Sequence, residues 1–278
     1  MYTKAHPAKP FLKWAGGKRQ LLAQILPHIP DFASYIEPFV GAGAVLFSLL
    51  PQRAIISDRN RQLIQTYEAV RDDVENVIQK LEEHANRYCK EYFYLVRGQD
   101  RDGEILGKLS KTELAARCIF LNKTCFNGLY RVNSRGQFNV PFGRYAKPKI
   151  CEAHTLRAVS KYFAEAELVI MQGDFAESAL QAKEGDFVYF DPPYHSPGNA
   201  TFTGYQAGGF AEDDQERLAQ CYATLSRRNV RCLLSNADTP LIRELYKDFT
   251  CITIPAKRLI NADAQGRGPV NELLIRNW

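Results

Sequence analysis

Residues 34–58 read SYIEPFVGAGAVLFSLLPQRAIISD, and this stretch decides the fold. The apolar run at 34–37 predicts a short strand, and the glycine-containing turn after it leads into a short helix at 44–50. A second apolar run at 54–57 predicts a buried strand that ends at Asp58, followed by a long helix from about residue 60 into the 80s. This order is typical of a parallel sheet, because parallel neighbours need a crossover connection.

The same alternation returns after about residue 155. Further strands are predicted at 168–171, 187–190, 230–234, 251–254 and 272–275, with helices at 215–225 and 240–246. Residues 82–115 between the two regions have a charged, helical pattern and no segment typical of a central strand. We therefore predict one α/β sheet domain formed by residues 1–58 and 155–278, with a helical insert over 59–154.

Length and composition limit the possible classes of protein. The 278 residues suffice for one large domain, or for a domain with one sizeable insert. With 45% hydrophobic and 24% charged residues, extensive disorder is not expected. No run approaches the roughly 18 apolar residues that would span a bilayer, and residues 1–7 lack the apolar core of a signal peptide. We therefore expect a cytoplasmic protein without a membrane partner.

Charge and cysteine content are less specific. The 36 Lys and Arg residues exceed the 31 Asp and Glu residues by five, which permits a nucleic-acid partner without requiring one. The seven cysteines are scattered and include no C-x-x-C pair, so no structural zinc site is expected, and no other metal cluster is visible. Reduced and mostly buried thiols account for them.

Gly41 and Gly43 lie where the first strand turns into a helix. A residue without a side chain lets the backbone turn sharply there and approach a ligand closely. Asp58, at the end of the next strand, could accept both hydroxyls of a ribose; alternatively it could cap the following helix. Position 46 is Leu where a dinucleotide fingerprint has a third glycine, so a ligand with a ribose and no pyrophosphate fits better than NAD.

The motif DPPY at 191–194 directly follows the apolar run 187–190. Its prolines stiffen a loop at the carboxyl end of a strand, where open α/β sheets bind ligands. Asp191 and the carbonyl of Pro192 offer two acceptors for the N–H bonds of a planar amino group, and Tyr194 offers a ring for stacking. A generic turn is the alternative interpretation of this motif.

The motif FLKWAGGK at 11–18 is not a phosphate-binding loop. Position 12 is Leu and position 19 is Arg, where such a loop requires Gly and Ser or Thr. Folding alone does not explain Trp14 and Lys18, although an apolar N-terminal segment that covers the sheet would be the simpler account.

Residues 122–149 form a basic and aromatic segment. They contain six Lys and Arg side chains and no Asp or Glu. A cationic segment with interleaved rings suits phosphates together with base edges or stacked bases. A solvated loop is the alternative, but solvated loops rarely hold so many aromatic residues, here Phe126, Tyr130, Phe138, Phe142 and Tyr145.

Five motifs together closely resemble the Dam-type (D12 class) DNA adenine-N6 methyltransferases. They span nearly the whole chain in the family's order: FLKWAGGK (11–18), PFVGAG (38–43), FNGLYR (126–131), GQFNVPFGRY (136–145) and DPPY (191–194). The resemblance implies a Rossmann-like S-adenosylmethionine-dependent methyltransferase sheet with an inserted helical DNA-recognition domain. It also implies methyl transfer from S-adenosylmethionine to N6 of adenine in double-stranded GATC, in a bacterial cytoplasm and in association with DNA.

The resemblance assigns roles to individual residues. It implies catalytic positions at Asp191, Pro192, Pro193 and Tyr194. It implies cofactor-binding positions at Trp14, Lys18, Phe39, Gly41, Gly43, Asp58, Asp174, Phe175 and Asp191. It implies DNA-binding positions at Lys13, Phe126, Asn127, Leu129, Arg131, Asn139, Pro141 and Arg144. Phe126 stands where the family often has Tyr, so intercalation beside the flipped base is expected and a hydroxyl contact is not.

On this interpretation the target adenine leaves the base stack and its amino group binds to Asp191 and the Pro192 carbonyl. The methyl group then moves in line, without a covalent enzyme intermediate. An amino methyltransferase acting on cytosine N4 or on RNA adenine stays open, because DPPY suits any planar amino group, as does a binding protein without activity. A monomer is the default expectation. Partnership with a restriction endonuclease and the role of loop 257–268 also stay open, and the loop at about 196–209 is expected to order with DNA.

Overall fold

The computed structural model describes residues 8–14, 16, 18–196, 209–257 and 269–278. The two loops predicted near 196–209 and at 257–268 lie outside the described residues apart from their ends. Within the described residues, no helix is both long enough and apolar enough to cross a bilayer. All seven cysteines are free thiols, and four of them are buried.

Seven strands form one sheet: β1 (Tyr35–Glu37), β2 (Arg53–Asp58), β3 (Glu167–Gln172), β4 (Phe187–Phe190), β5 (Arg231–Ala237), β6 (Thr250–Lys257) and β7 (Pro269–Arg276). Their order across the sheet is β3-β2-β1-β4-β5-β7-β6. The strands β1 to β5 pair in parallel, whereas β7 pairs antiparallel with both β5 and β6. The predicted α/β sheet is therefore confirmed.

The strand order reverses between β1 and β4. From β1 the chain builds outward to β2 and β3, and it then crosses back to place β4 on the other side of β1. The pairs Tyr35↔Phe187 and Ile36↔Val188 join the two strands at this point. Ligands of open α/β sheets bind outside the carboxyl ends of the strands at such a reversal. The glycine turn after β1 and the DPPY motif after β4 both lie there.

The α-helices that the structure describes are α1 (Leu22–Ile25), α2 (Leu46–Leu49), α3 (Arg61–Asp72), α4 (Val74–Asn86), α5 (Lys90–Gly98), α6 (Gly103–Lys108), α7 (Lys111–Thr124), α8 (Ala153–Glu165), α9 (Phe175–Ala179), α10 (Glu212–Arg227) and α11 (Pro240–Leu245). The single long helix predicted from residue 60 is wrong. The backbone of Asp73 leaves the helical region (φ −152°, ψ 60°), which separates α3 from α4. Two 3-10 turns, Lys18–Gln20 and Leu26–His28, flank α1.

Helix α7 is the centre of the helical region. It begins at a capping box in which Ser110 and Glu113 satisfy each other's backbone N–H groups. Its residues from Ala115 to Asn122 are all buried, because α3, α4 and α5 pack around it. Helix α3 also packs on β2 and β3, so the helical region and the sheet share one hydrophobic core. The predicted domain boundaries at 58/59 and 154/155 stay a prediction.

Residues 125–142 after α7 form a hairpin, which we call the 125–142 hairpin. Two isolated antiparallel bridges join its arms, Cys125↔Phe142 and Val132↔Phe138. No periodic pattern marks this segment, because the arms pair at only two points. A bond from the Asn133 backbone N–H to the Gln137 carbonyl (2.9 Å) closes the tip.

Candidate active site

Asp191 stands at the carboxyl end of β4, a strand that is buried along its whole length. Its Oδ1 lies 2.7 Å from the Nζ of Lys18, and the Lys18 side chain is only 5% exposed. Burial raises the pKa of Asp191 to about 6; the Lys18 ammonium opposes this rise and Glu272 adds to it. The carboxylate is therefore mostly ionised at neutral pH, where it can accept hydrogen bonds from N–H groups.

The ring of Tyr194 is held from two directions. The Lys18 ammonium lies 4.5 Å from its ring centroid, a cation–π distance. The Tyr194 hydroxyl donates to Oε2 of Glu272 at 2.6 Å. Burial and the nearby carboxylates of Asp191 and Glu272 raise the pKa of Tyr194, so the phenol stays neutral. The ring is thus fixed close to the acceptor atoms of Asp191.

A chain of buried amides fixes the loop between these residues. The Nε2 of Gln215 donates to the carbonyl of Pro193 at 2.9 Å. Asn236 donates to Gln215 Oε1 at 2.9 Å and accepts the backbone N–H of His195 at 3.1 Å. Gln215 and Asn236 are almost fully buried. Helix α10 and strand β5 therefore position the DPPY backbone, which agrees with a rigid loop and not with a generic turn.

The turn after β1 is buried at Gly41 and Gly43 and is packed closely by neighbouring side chains. Gly41 and Gly43 both adopt positive φ, +48° and +68°. A Cβ added at Gly41 would lie 2.9 Å from Cδ1 of Trp14, and one added at Gly43 would lie 3.1 Å from the hydroxyl of Tyr67. That hydroxyl also donates to the Gly41 carbonyl at 3.0 Å. Both glycines are therefore required by backbone conformation and by close packing.

Asp58 joins the glycine turn to the start of α3. Its Oδ2 accepts the backbone N–H of Gly41 at 3.2 Å, and its Oδ1 accepts that of Asn60 at 2.8 Å. Asn60, and not Asp58, caps α3 by accepting from the N–H groups of Gln62 and Leu63. Burial raises the pKa of Asp58 to about 6. The capping alternative for Asp58 is therefore wrong, and the carboxylate is left beside the glycine turn, where a ribose could bind.

A third carboxyl group, that of Glu37 at the end of β1, lies close to these two. It is 2% exposed, and its Oε2 has no hydrogen-bond partner among the described residues. Burial raises its pKa well above the usual value; the neighbouring Tyr35 hydroxyl opposes the rise, and Asp191 and Asp58 add to it. Three acidic groups around a glycine turn offer hydrogen-bonding oxygens for the hydroxyl and amino groups of a nucleoside.

Phe39 and Phe175 form the aromatic side of this region. Their rings stack at 5.4 Å, and Phe210 meets Phe39 edge to face at 5.8 Å. Asp174 caps α9 by accepting the Ala176 N–H, and its Oδ1 also accepts from Arg217 at 3.0 Å. The predicted pair Asp174 and Phe175 thus lies at the end of β3, beside Phe39 from the glycine turn.

Trp14 and Lys13 connect the glycine turn with the 125–142 hairpin. The Trp14 indole packs on Gly41 and stacks on the ring of Tyr130 at 5.1 Å. Asn122 accepts the Lys13 backbone N–H at 2.8 Å and donates to its carbonyl at 2.7 Å. Trp14 thus contacts the glycine turn and the hairpin at once. These contacts explain the residue better than an N-terminal segment that only covers the sheet.

Six of the eight predicted DNA-binding residues lie on the 125–142 hairpin, and Lys13 and Arg144 lie outside it. Phe126 is 51% exposed, the highest exposed fraction of any Phe, Tyr or Trp among the described residues. Arg131 is exposed, and its Nε donates to Oδ1 of Asn139 at 2.7 Å. Within the part of the chain that the structure describes, the Nη nitrogens of Arg131 make no hydrogen bond. Asn127, Pro141 and Arg144 are exposed, while Leu129 is half-buried against the core.

The other aromatic residues of segment 122–149 do not offer rings for stacking on bases. Tyr130 and Phe138 are buried. Phe142 packs on Tyr88 and Phe93, and Tyr145 carries the Lys13 ammonium on its ring. The inference from five interleaved rings to base stacking is therefore wrong for four of them, since they build the hairpin's own packing.

Four further residues of the site were missed by the sequence analysis: Glu272, Gln215, Asn236 and Asn122. Each acts through a partner far away in the chain, so no local motif marks it. A polar residue within an apolar strand was an available signal for Asn236 and for Glu272. Among the described residues, no group of three His, Cys, Asp or Glu side chains could hold a metal ion.

Comparisons with known proteins agree with this geometry. The family model described as D12 class N6 adenine-specific DNA methyltransferase matches residues 14–260. A Type II methyltransferase of Lactococcus lactis, M1.LlaDCHI, is 44% identical over 97% of this chain and 95% of its own length. The Type II methyltransferase M.MjaIII of Methanocaldococcus jannaschii is 42% identical, covering 97% and 99% respectively. The DNA adenine methylase of Escherichia coli K12 is 36% identical, covering 95% and 93%.

Proposed function

The chain belongs to the D12 class of N6-adenine-specific DNA methyltransferases, and we propose that it methylates adenine in double-stranded GATC after flipping the base out of the helix. It is an adenine-specific DNA methyltransferase by family. One observation carries the proposal for its site: Asp191 and the turn at Gly41 lie together where the strand order reverses between β1 and β4. The residue proposed to bind the target base and the turn proposed to bind the cofactor are thus neighbours.

The residues present fit S-adenosylmethionine as the cofactor. The carboxylate of Asp58, which accepts the Gly41 N–H, suits the ribose hydroxyls, and Oε2 of Glu37 is a buried oxygen without a partner among the described residues. Phe39 and Phe175 offer apolar rings for the adenine end. When bound, S-adenosylmethionine supplies a methyl group on a positively charged sulfonium, which an amino nitrogen can attack directly.

Asp191 prepares the amino group of the target adenine. The lone pair of this nitrogen is delocalised into the ring, so the free amino group is a poor nucleophile. Hydrogen bonds from its two N–H groups to Asp191 and to the Pro192 carbonyl draw the nitrogen toward tetrahedral geometry. Tyr194, whose hydroxyl is held by Glu272, stacks on the base and holds its plane. Because the pKa of Asp191 is about 6, its carboxylate can also receive the proton that N6 releases.

Binding of the amino group requires a change at Lys18. The ammonium occupies Oδ1 of Asp191 at 2.7 Å, so it must release this oxygen before an N–H group can bind there. Lys18 also contacts the ring of Tyr194, which is proposed to stack on the base. In the free protein Lys18 therefore keeps the buried carboxylate paired at the oxygen proposed for the amino group.

The 125–142 hairpin is proposed to read the DNA. A guanidinium with two directed Nη donors can bind O6 and N7 of a guanine, which suits Arg131. The exposed ring of Phe126 can enter the space that the flipped base leaves. Lys13, Asn127, Arg144, Leu129 and Pro141 surround these two residues in the hairpin region, and their basic, amide and apolar side chains suit phosphates, base edges and thymine methyl groups.

One chain carries one hairpin and one Asp191 site, so we propose that it acts as a monomer on DNA in the bacterial cytoplasm. The helical segment 59–154 would form the target-recognition part and the sheet the catalytic part. The names of the two Type II relatives leave partnership with a restriction enzyme open for this chain.

The decisive experiment is transfer of tritiated methyl groups from S-adenosylmethionine to two duplexes that differ only in GATC versus GTAC. We expect label on the GATC duplex alone, recovered as N6-methyladenine after digestion to nucleosides. Label on both duplexes, or on neither, would reject GATC as the target while leaving the enzyme class unchanged.

Base flipping has its own measurement. A duplex with 2-aminopurine in place of the target adenine should become several-fold more fluorescent when the enzyme binds, because the base loses its stacked neighbours. An unchanged signal with bound enzyme would reject flipping. A duplex with 2-aminopurine outside the site serves as the control.

A further inference from the structure

The backbone of Phe138, in the second arm of the 125–142 hairpin, is held on both sides by side chains from the helical region. The Oδ2 of Asp100 accepts the Phe138 N–H at 2.7 Å. The Nη2 of Arg101 donates to the Phe138 carbonyl at 2.6 Å. Asp100 and Arg101 also bind each other, as neighbours in the 3-10 turn after α5.

Two further arginines extend this group of contacts. Arg97 in α5 donates to the carbonyl of Val140 at 3.2 Å. Arg117 in α7 lies 3.1 Å from Oδ2 of Asp100 and donates to the carbonyls of Val96 and Arg97. We call Arg97, Asp100, Arg101 and Arg117 the hairpin brace.

The central ion pair of the hairpin brace, Asp100 with Arg117, is buried, whereas the Arg101 side chain is 35% exposed. Arg117 is 1% exposed, and the Asp100 side chain 8%. A buried ion pair contributes little net stability, because desolvation offsets the attraction between the charges. Such a pair can instead select one conformation of the chain over competing conformations. In this protein the conformation in question is the register of the 125–142 hairpin. Its arms are joined by only two bridges, so their own pairing specifies the register weakly.

The residue next to Phe138 shows what the register controls. Asn139 donates its backbone N–H to the Arg131 carbonyl at 3.0 Å, and its side chain accepts from Arg131 Nε at 2.7 Å. If the second arm moved by one residue, Asn139 would face away from Arg131. The guanidinium would then lose the partner that sets its plane.

We propose that Asp100, with Arg101 and Arg117, is a positioning element for sequence recognition: it fixes the second arm of the hairpin and so orients the Arg131 guanidinium toward the DNA. This inference rests on the proposed function, in which Arg131 reads a guanine. Asp100 lies on the opposite side of Phe138 from that contact and acts through Asn139. It is a positioning residue and does not touch the DNA.

The test compares Asp100→Asn with Asp72→Asn. Asp72 also pairs with a neighbouring arginine, Arg71, but this pair is exposed and belongs to α3, so it is a matched control. Hydrogen exchange of the free protein should be at least tenfold faster at the Phe138 amide in Asp100→Asn and unchanged in Asp72→Asn. If exchange at that amide is unchanged in the folded Asp100→Asn variant, the proposal that Asp100 fixes the Phe138 backbone is rejected.

The functional measurement is selectivity. In Asp100→Asn, the ratio of kcat/KM for the GATC duplex to that for a duplex with the guanine replaced should fall at least tenfold, with the Kd of S-adenosylmethionine within twofold of wild type. A merely structural role would lower both rates by one factor and leave this ratio unchanged, which would overturn the proposal.

A second variant guards against loss of folding. Arg101→Gln removes the bond to the Phe138 carbonyl without leaving Arg117 unpaired, and the Arg101 side chain is 35% exposed. We expect the same changes in exchange and selectivity, with a smaller exchange effect. If wild type methylates neither duplex, the proposed target sequence fails, and the exchange measurement alone decides the brace.

Discussion

The ammonium of Lys18 lies 2.7 Å from the carboxylate of Asp191, at the oxygen that the target amino group needs. Both side chains are largely buried, and breaking a buried pair is costly unless another partner replaces it. In the proposed mechanism the flipped adenine would supply that partner. Entry of the base and departure of Lys18 would then be one exchange, in which the carboxylate always keeps a donor.

Removal of the acceptor should abolish methyl transfer. In Asp191→Ala we expect no detectable product in single-turnover assays, while the circular dichroism spectrum and the Kd for cognate DNA stay near wild type. Asp186→Ala, in the turn before β4, is the control and should keep its activity. Full methylation by Asp191→Ala would refute the catalytic role.

The rate of methyl transfer should decrease at low pH, which gives the pH profile an acid limb. Because the pKa of Asp191 is about 6 while Lys18 pairs with it, kcat/KM for the DNA at saturating cofactor should fall about tenfold per pH unit below that value. The Lys18 ammonium lowers this pKa, so in Lys18→Met the acid limb should move to higher pH. Saturation with cofactor is needed because Asp58 also has a pKa of about 6. An unchanged limb in Lys18→Met would contradict the pairing.

The same pKa also affects folding, with the opposite sign. Folding raises the pKa of the Asp191 carboxyl, so the folded state binds this proton more tightly than the unfolded state. Its contribution to the free energy of unfolding is fully present below about pH 4 and is lost as the pH rises through about 6. At neutral pH the charged carboxylate is thus retained for its chemistry at some cost in stability.

The hydroxyl of Tyr194 should matter through Glu272. In Tyr194→Phe the ring stays but its bond to Glu272 is lost, so we expect kcat to fall about tenfold, whereas Tyr194→Ala should lose far more activity. Glu272→Gln keeps an acceptor for the hydroxyl and should be close to wild type. Steady-state kinetics on a cognate duplex measures all three. Equal loss in Tyr194→Phe and Tyr194→Ala would show that stacking is not the ring's role.

Gly41→Ala should weaken cofactor binding and the fold together. Its φ of +48° and a Cβ 2.9 Å from the Trp14 ring impose strain of about 1–3 kcal/mol. We expect a lower Tm and an at least tenfold higher Kd for S-adenosylmethionine by calorimetry. Gly98→Ala, where a Cβ would meet nothing within 4 Å, is the control and should leave both values unchanged.

Arg131→Ala should relax specificity at one guanine. Loss of a two-point contact costs about 1–3 kcal/mol of discrimination, so the preference for guanine at that position should fall by roughly 5- to 150-fold. Arg135→Ala, at the hairpin tip, is the comparison and should leave that preference intact. A uniform loss at all sequences in Arg131→Ala would instead mark this residue as a phosphate contact.

The parts predicted well from the sequence are those that a local pattern determines. The runs 187–190 and 54–57 are continuously apolar because their strands are buried on both faces, and so their type and position were evident. The glycine turn and the DPPY motif are recognised in the sequence by their residue types. The apolar period that continues across Asp73 concealed the break between α3 and α4, because the pattern does not encode a change of helix direction.

The contacts that organise the site could not be predicted in the same way. Glu272 meets Tyr194 only because β7 lies beside β5, and Asp100 meets Phe138 only because α5 packs against the hairpin. Such partners are set by tertiary structure and leave no spacing in the chain. The aromatic residues of segment 122–149 gave a wrong indication of base stacking for the same reason. Most of their rings pack against other parts of the protein.

The position of β7 has a consequence for biosynthesis. It follows β6 in the chain and yet lies between β6 and β5, so the growing polypeptide emerges from the ribosome with the place beside β5 still vacant. Strand β6 must wait as an unpaired edge until Pro269–Arg276 has been translated, and only then does Glu272 reach the Tyr194 hydroxyl. A chain whose synthesis stops before this strand therefore lacks a complete catalytic pocket, and methylation competence arises in the last step of sheet assembly.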